Sequence, residues 1–262
     1  MPKYNDFDLK WWRRKQYDNI ITDSLWIINE REKSGKHSNF YHWNFIPQIP
    51  NQFIQRFTKK GDYVVDLFIW SWTTAIECES LWRNIIWVDL NWELVDRIDT
   101  LIDWDIKKYF FQWDSTKKIT VTKIEKYFEK EWRKWADLVM LHPPYFDIVK
   151  FSDKEDDLSN AKNLEGFLES FSLVAKNTEK ILKKWWYAWL VIWDKYQNSE
   201  RIPLWFYCMQ KMQEAGLKLK SIIVKNMEWN RWKLWAGWIR RYRALSADYY
   251  IFKHEYVFLF KK

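Results

Sequence analysis

The chain has 262 residues, 48% apolar and 30% charged, and its 43 Lys and Arg outweigh 35 Asp and Glu to give a formal charge of +8. That length suits one α/β domain with a full core rather than two, and the basic excess suits a polyanionic partner. The two cysteines lack a C-x-x-C spacing, the start is polar, and no apolar run reaches membrane length, so the expectation is a reduced cytoplasmic protein without a disulfide framework, a metal or a membrane anchor.

Residues 1–60 read as a polar extension ending in a short helix, Pro50 to Phe57, with proline near its start and Gly61 beyond its end. From Gly61 onward, strands and helices alternate. Strands are expected at Tyr63 to Phe68, Ile85 to Leu90, Lys108 to Gln112, Asp137 to Leu141 and Trp186 to Ile192. Helices are expected at Thr73 to Arg83, Glu93 to Ile102, Ile119 to Lys134, Asn160 to Lys184 and Pro203 to Glu214, the last stopped by Gly216. Two further strands, Leu217 to Lys225 and Glu255 to Phe260, have no obvious helix between them, so one of them is expected to run antiparallel. Such alternation predicts a mostly parallel sheet with helices on both faces. No repeat or second domain is visible, so 1–262 reads as a single unit with its core in 61–262.

Four segments at predicted strand ends carry side chains suited to ligand chemistry. Asp66-Leu67-Phe68-Ile69-Trp70-Ser71-Trp72-Thr73-Thr74 leaves a strand and opens a helix, a turn whose backbone N–H groups hold nucleotide-type ligands. Val88-Asp89 ends the next strand, where a carboxylate accepts hydrogen bonds from ribose hydroxyls. Gln112-Trp113-Asp114-Ser115 ends the third strand and Leu141-His142-Pro143-Pro144-Tyr145 the fourth. Taken singly, each has an ordinary explanation as a helix cap or a loop. Taken in order along the edge where open α/β sheets bind ligands, they read as one site.

With these segments in this order the chain resembles the DNA amino-methyltransferases. That family carries an Asp-Pro-Phe-x-Gly-x-Gly-Thr-Thr cofactor loop, a ribose-binding acid and an Asp/Asn/Ser-Pro-Pro-Tyr/Phe loop. The likeness runs from Ile20 to the end. Tyr41 to Pro50 resembles the family's N-terminal cofactor-contact segment, and Arg241 to Leu245 with Phe252 to Tyr256 resembles its C-terminal strand pair. The resemblance implies a Rossmann-like seven-stranded sheet with one antiparallel strand, S-adenosylmethionine as cofactor, and methyl transfer to an exocyclic amine of adenine or cytosine in DNA. It assigns cofactor contacts to Phe45, Pro47, Asp66, Phe68, Trp70, Ser71, Trp72, Thr73, Thr74, Asp89 and Asp114. Among these, Asp66 faces the methionine part, Asp89 the ribose and Asp114 the adenine. His142, Pro143, Pro144 and Tyr145 would hold the target base. His142 departs from the family's Asp, Asn or Ser, which leaves open adenine against cytosine and DNA against RNA. Two other classes stay open: a methyltransferase of the same fold acting on structured RNA or a protein amide, and an inactive relative that binds nucleic acid. Arg231, Lys233, Arg240, Arg241 and Arg243 read equally as phosphate contacts or as a solvated basic loop.

The composition carries one anomaly, 22 Trp against 5 Gly. Ordinary usage would give roughly 18 glycines. With glycine at 70, 72, 82 and 87 the text becomes Phe-Ile-Gly-Ser-Gly-Thr-Thr, Leu-Gly-Arg-Asn and Ile-Gly-Val-Asp, each a normal string of the family; Trp43, Trp113, Trp185, Trp186 and Trp193 behave likewise, whereas Trp26 reads as a true tryptophan. A UGA codon decoded as glycine in the cell but written as tryptophan produces this pattern. A chain made literally as written is then expected to bind the cofactor poorly, because bulk stands where close backbone approach is needed.

Overall fold

The structure, a computed structural model, describes residues 3–37, 45–68, 72–91, 100–103, 105–146, 154, 157–197, 200–227 and 237–262. Among them, ten strands and six α-helices are placed. A two-residue strand β1 (Leu25–Trp26) is followed by α1 (Gln48–Phe57), β2 (Tyr63–Asp66), α2 (Thr73–Ser80), β3 (Asn84–Asp89) and β4 (Lys108–Gln112). Then come α3 (Lys118–Lys130), β5 (Ala136–Leu141), α4 (Leu164–Ile181), β6 (Leu182–Ile192), a small hairpin of β7 (Lys195–Gln197) and β8 (Glu200–Ile202), α5 (Leu204–Glu214), β9 (Lys218–Asn226), α6 (Gly237–Ser246) and β10 (His254–Lys261). Short 3-10 turns stand at Trp11–Tyr17 and Leu158–Asn160.

Apart from the β7–β8 hairpin, the strands form one sheet in the order β1-β9-β10-β6-β5-β2-β3-β4. β2 pairs in parallel with β3 and β5, β3 with β4, and β5 with β6, while β10 is antiparallel to both β6 and β9. The expected Rossmann-like sheet with one reversed strand is therefore present, with β1 added at the β9 edge as an eighth strand. The central strands β2 and β5 are buried at every position, as expected where helices cover both faces. One face packs on α3, α4 and α5 through residues such as Ile124, Phe128, Phe171, Val174 and Met212. The other packs on α1 and α2 through Ile49, Phe53, Ile54, Phe57, Ala75 and Ile76. α1 buries that stripe because its apolar residues recur at helical spacing, and it stops at Thr58, whose hydroxyl donates to the Ile54 carbonyl at 2.5 Å.

Topology creates the functional edge. The chain runs outward from β2 through β3 to β4, then returns to β5 on the opposite side of β2. The loops after β2 and β5 thus leave the sheet side by side at a switch point, where open α/β sheets hold ligands.

Three expectations are corrected. The long helix over Asn160 to Lys184 is a 3-10 turn and then α4, which ends at Ile181 and passes directly into β6. Arg241 to Leu245 lies in α6 and forms no strand. The sheet has eight strands rather than seven. The helix expected at Glu93 to Ile102 falls largely outside the described residues.

The backbone bears on the tryptophan anomaly. Among the described residues, five non-glycine positions adopt positive φ, and four are Trp72 (28°), Trp82 (60°), Trp132 (55°) and Trp185 (72°). L-residues avoid this region because Cβ crowds the following carbonyl, and glycine enters it freely. Gly35, Gly61 and Gly216 adopt it too.

Candidate active site

At the end of β2, Asp66 is buried and its Oδ1 accepts the Phe68 N–H at 3.0 Å. Burial, only partly offset by hydrogen bonding, pushes its carboxyl up to about 7, and the nearby Asp89 charge pushes in the same direction. The chain then enters α2 through Trp72, whose carbonyl accepts from Ile76 N–H at 2.9 Å; Thr73 and Thr74 are buried in the first turn. Trp70 and Ser71 lie outside the described residues. One strand over, Asp89 accepts the Asn91 N–H at 2.7 Å and is raised by burial to about 6. Two acids whose carboxyls are raised by desolvation thus stand at adjacent strand ends, an arrangement suited to a cationic or hydroxyl-rich ligand.

Asp114, after β4, is committed locally. Its two carboxylate oxygens accept from Thr116 N–H and Thr116 Oγ1, each at 2.8 Å. Lys117 Nζ also stands 3.5 Å from Oδ2, so the turn at the entrance to α3 is the visible work of this carboxylate. Ser115, the last residue of that segment, ties this turn to the end of β2 by donating to the Leu67 carbonyl at 2.6 Å.

The loop after β5 lies next to Asp66, since Asp66 pairs with Met140 and His142 follows two residues later. His142, Pro143, Pro144 and Tyr145 are all buried. His142 Nε2 is hydrogen-bonded to the Tyr145 hydroxyl. Burial lowers the imidazole to about 3, so it is neutral, and burial raises the phenol. Phe146, which closes the loop, has φ 56°, a strained non-glycine conformation of the kind found at ligand sites.

Phe45 reaches this loop from the N-terminal segment, its ring 4.9 Å from that of His142 at 78°. Its carbonyl accepts from Arg31 at 3.0 Å, and Pro47 is buried where α1 begins. His37 and Lys36 are pinned to α2, with His37 2.6 Å from Glu77 and Lys36 2.7 Å from Glu79, which is a structural use of that loop. His42 lies outside the described residues. The structure therefore gathers Phe45, Asp66, His142 and Tyr145 at the switch point, sets Asp89 one strand away, and leaves Asp114 in a supporting turn. Sequence reasoning missed two further groups at this edge, Lys225 on β9 and Glu255 on β10, and took Trp193 after β6 only as a glycine-like position. No local motif marks them, because strand register alone brings them together.

Residues 3–100 match the sequence model of the N6/N4 methyltransferase family, described as DNA methylase. The type II methyltransferase M.MjaII of Methanocaldococcus jannaschii is 32% identical over 68 residues, a stretch covering 25% of this chain and 13% of that protein. The crystal structure of TrmN from Thermus thermophilus superposes with a TM-score of 0.50 at 13% identity, over 87% of this chain and 51% of that one. The first two likenesses lie in sequence and the third in fold.

Proposed function

We propose that this chain, similar to DNA amino-methyltransferases across its first hundred residues, transfers a methyl group from S-adenosylmethionine to an exocyclic amine of adenine or cytosine in DNA. In this reading it acts as one unit, with residues 1–60 extending the core 61–262. The reading rests on one observation above all: the buried Asp66 and the His142-Pro143-Pro144-Tyr145 loop meet at the switch point between β2 and β5, with Asp89 at the end of the neighbouring strand β3.

With glycine at 70 and 72, the remaining residues of the site fit the cofactor. Asp66 and Asp89 are desolvated acids suited to its cationic methionine end and its ribose diol, and Thr73 and Thr74 open the helix beside them. When bound, S-adenosylmethionine supplies an electrophilic methyl group on a sulfonium centre. The target base must leave a duplex or be single-stranded to reach the pocket. Tyr145 offers its ring for stacking, worth about 1–3 kcal/mol. In the tautomer that donates from Nε2 to Tyr145, neutral His142 would present Nδ1 as an acceptor for one amine proton, with the Pro143 carbonyl accepting the other. Orienting the amine in this way aims its lone pair, so positioning does most of the work.

The same reading takes tryptophan at 43, 70, 72, 82, 87, 113, 185, 186 and 193 as glycine in the natural polypeptide and adds 132, supported at 72, 82, 132 and 185 by their positive φ. Mass spectrometry of the natural protein checks this: a peptide retaining tryptophan at 72 ends the idea. For the activity, the glycine-restored chain is incubated with tritiated S-adenosylmethionine and unmethylated DNA, RNA or a protein pool. Label is expected in DNA. Label in RNA or protein instead overturns the substrate, and absence of calorimetric heat with the cofactor overturns the enzyme reading.

A further inference from the structure

Next to the catalytic loop the sheet holds a buried ion pair that the chemistry above does not use. Lys225 and Glu255 are register partners on β9 and β10, Nζ and Oε1 are 2.6 Å apart, and each side chain is 6% exposed. Desolvating two such charges costs several kcal/mol per ion before their attraction is counted, and an apolar pair of similar volume serves stability as well or better. The surroundings point to a use other than stability. Glu255 Oε2 accepts a hydrogen bond from Trp193 Nε1 at 2.7 Å. The Trp193 indole lies parallel to the Tyr145 ring, with centroids 5.3 Å apart and planes 8° apart. Tyr145 in turn is hydrogen-bonded to His142. A flat aromatic bicycle thus stacks on the catalytic-loop tyrosine while its edge N–H meets a buried carboxylate, at one of the positions where the sequence reads as glycine.

We propose that the Trp193 indole occupies the slot for the target base, and that Glu255, aimed by Lys225, accepts a hydrogen bond from the N–H edge of that base. The indole has the shape and edge donor of a purine, and with glycine at 193 the Tyr145 face and the Glu255 carboxylate stand open to a ligand. Lys225 is a positioning residue: its ammonium also donates to the Asn226 carbonyl at 2.8 Å, which fixes the pair at the strand end. The identity of the occupant as a nucleobase rests on the proposed function.

The test uses the chain with glycine at 70, 72, 82, 132 and 185, carrying Trp193 or W193G, with W193A as a second variant less prone to backbone disorder. The probe is 2-aminopurine deoxyriboside, whose fluorescence is quenched on stacking and whose amino edge suits Glu255. W193G and W193A are expected to bind it with quenching at least about tenfold more tightly than the Trp193 parent. Adding E255Q to either is expected to weaken binding about tenfold, the scale of losing a hydrogen bond to a charged group. Equal binding with and without the indole, binding indifferent to E255Q, or no binding by either variant overturns the proposal. Because the quenching needs no methyl transfer, failure of the proposed function appears separately, as absence of label in DNA or of cofactor heat.

Discussion

At Trp132 the indole is 97% exposed and φ is 55°, so the side chain adds no packing while its Cβ crowds the backbone. Trp132→Gly is expected to raise stability by roughly 0.5–1 kcal/mol, the left-handed penalty less the entropy glycine returns to the unfolded chain, read as a higher urea midpoint. Trp82 and Trp185, half exposed, should shift the same way. Buried tryptophans divide by hydrogen bonding. Trp26, the one that reads as tryptophan in sequence, donates its Nε1–H to the Asp23 carbonyl at 2.9 Å. The indole nitrogens of Trp87, Trp186, Trp189 and Trp205 are buried without an acceptor among the described residues, each at a cost of about 1–3 kcal/mol. Tyr145 gives a sharper test of the chemistry. Tyr145→Ala should lower turnover by about 10- to 100-fold, the value of one stacked base, with cofactor affinity by calorimetry nearly unchanged. Tyr145→Phe keeps the ring, loses the His142 bond and should lose less. Tyr145→Ala leaving turnover intact counts against this loop as the base-holding element.

At the scale of elements, the sequence displayed most of the sheet. Lys108 to Gln112 is placed residue for residue, and β2, β3, β5, β9 and β10 differ from expectation by a residue or two at their ends. These strands are short apolar runs between turn residues, a signal that survives in any tertiary context. The α4–β6 boundary was illegible because no loop separates them: Leu182 leaves the helix with ψ 135° and starts the strand, while Lys183 and Lys184 fit a helix equally well. Over Arg241 to Leu245 the resemblance implied a strand where α6 forms. The wider spacing of exposed Trp238, Tyr242 and Leu245 has the helical period. Of the site, the acids and the Pro-Pro-Tyr loop were legible as text, whereas the Lys225–Glu255 pair was not, since antiparallel register alone creates it. α6 also carries a prediction. Its Arg241 and Arg243 are exposed beside the exposed aromatic side chains of Trp238 and Tyr242, a surface suited to a phosphate backbone. Alanine at both should weaken DNA binding evenly across sequences and reduce the slope of log K against log salt by about two, near one for each phosphate no longer neutralised. An unchanged slope removes α6 from the DNA interface.

At the scale of the whole molecule, the ligand edge is built against stability. Burial raises Asp66 to about 7, Asp89 to about 6 and, at the end of β6, Asp194 to about 7. A carboxyl whose folded value lies above its unfolded value near 4 holds its proton longer in the folded state. Folding is therefore favoured most below pH 4 by such a group and loses that advantage as pH rises to the folded value, each tenfold of proton affinity being worth about 1.4 kcal/mol. His142 acts in the opposite sense. Lowered to about 3, it supports the fold above its ordinary value and withdraws that support as the solution is acidified. The two contributions overlap, so the carboxylate is isolated by difference. The unfolding free energy of Asp66→Asn minus that of the parent should grow between pH 4 and pH 7 by up to about 3 kcal/mol and stay level above that, measured by urea unfolding across the range. A flat difference means Asp66 ionises normally in the folded chain. The same charge predicts the effect of ligand: a cationic group beside Asp66 is welcome only once the carboxyl is ionised. S-adenosylmethionine should therefore raise the melting temperature of the glycine-restored chain more at pH 7.5 than at pH 5.5, and Asp66→Asn should abolish that dependence on pH.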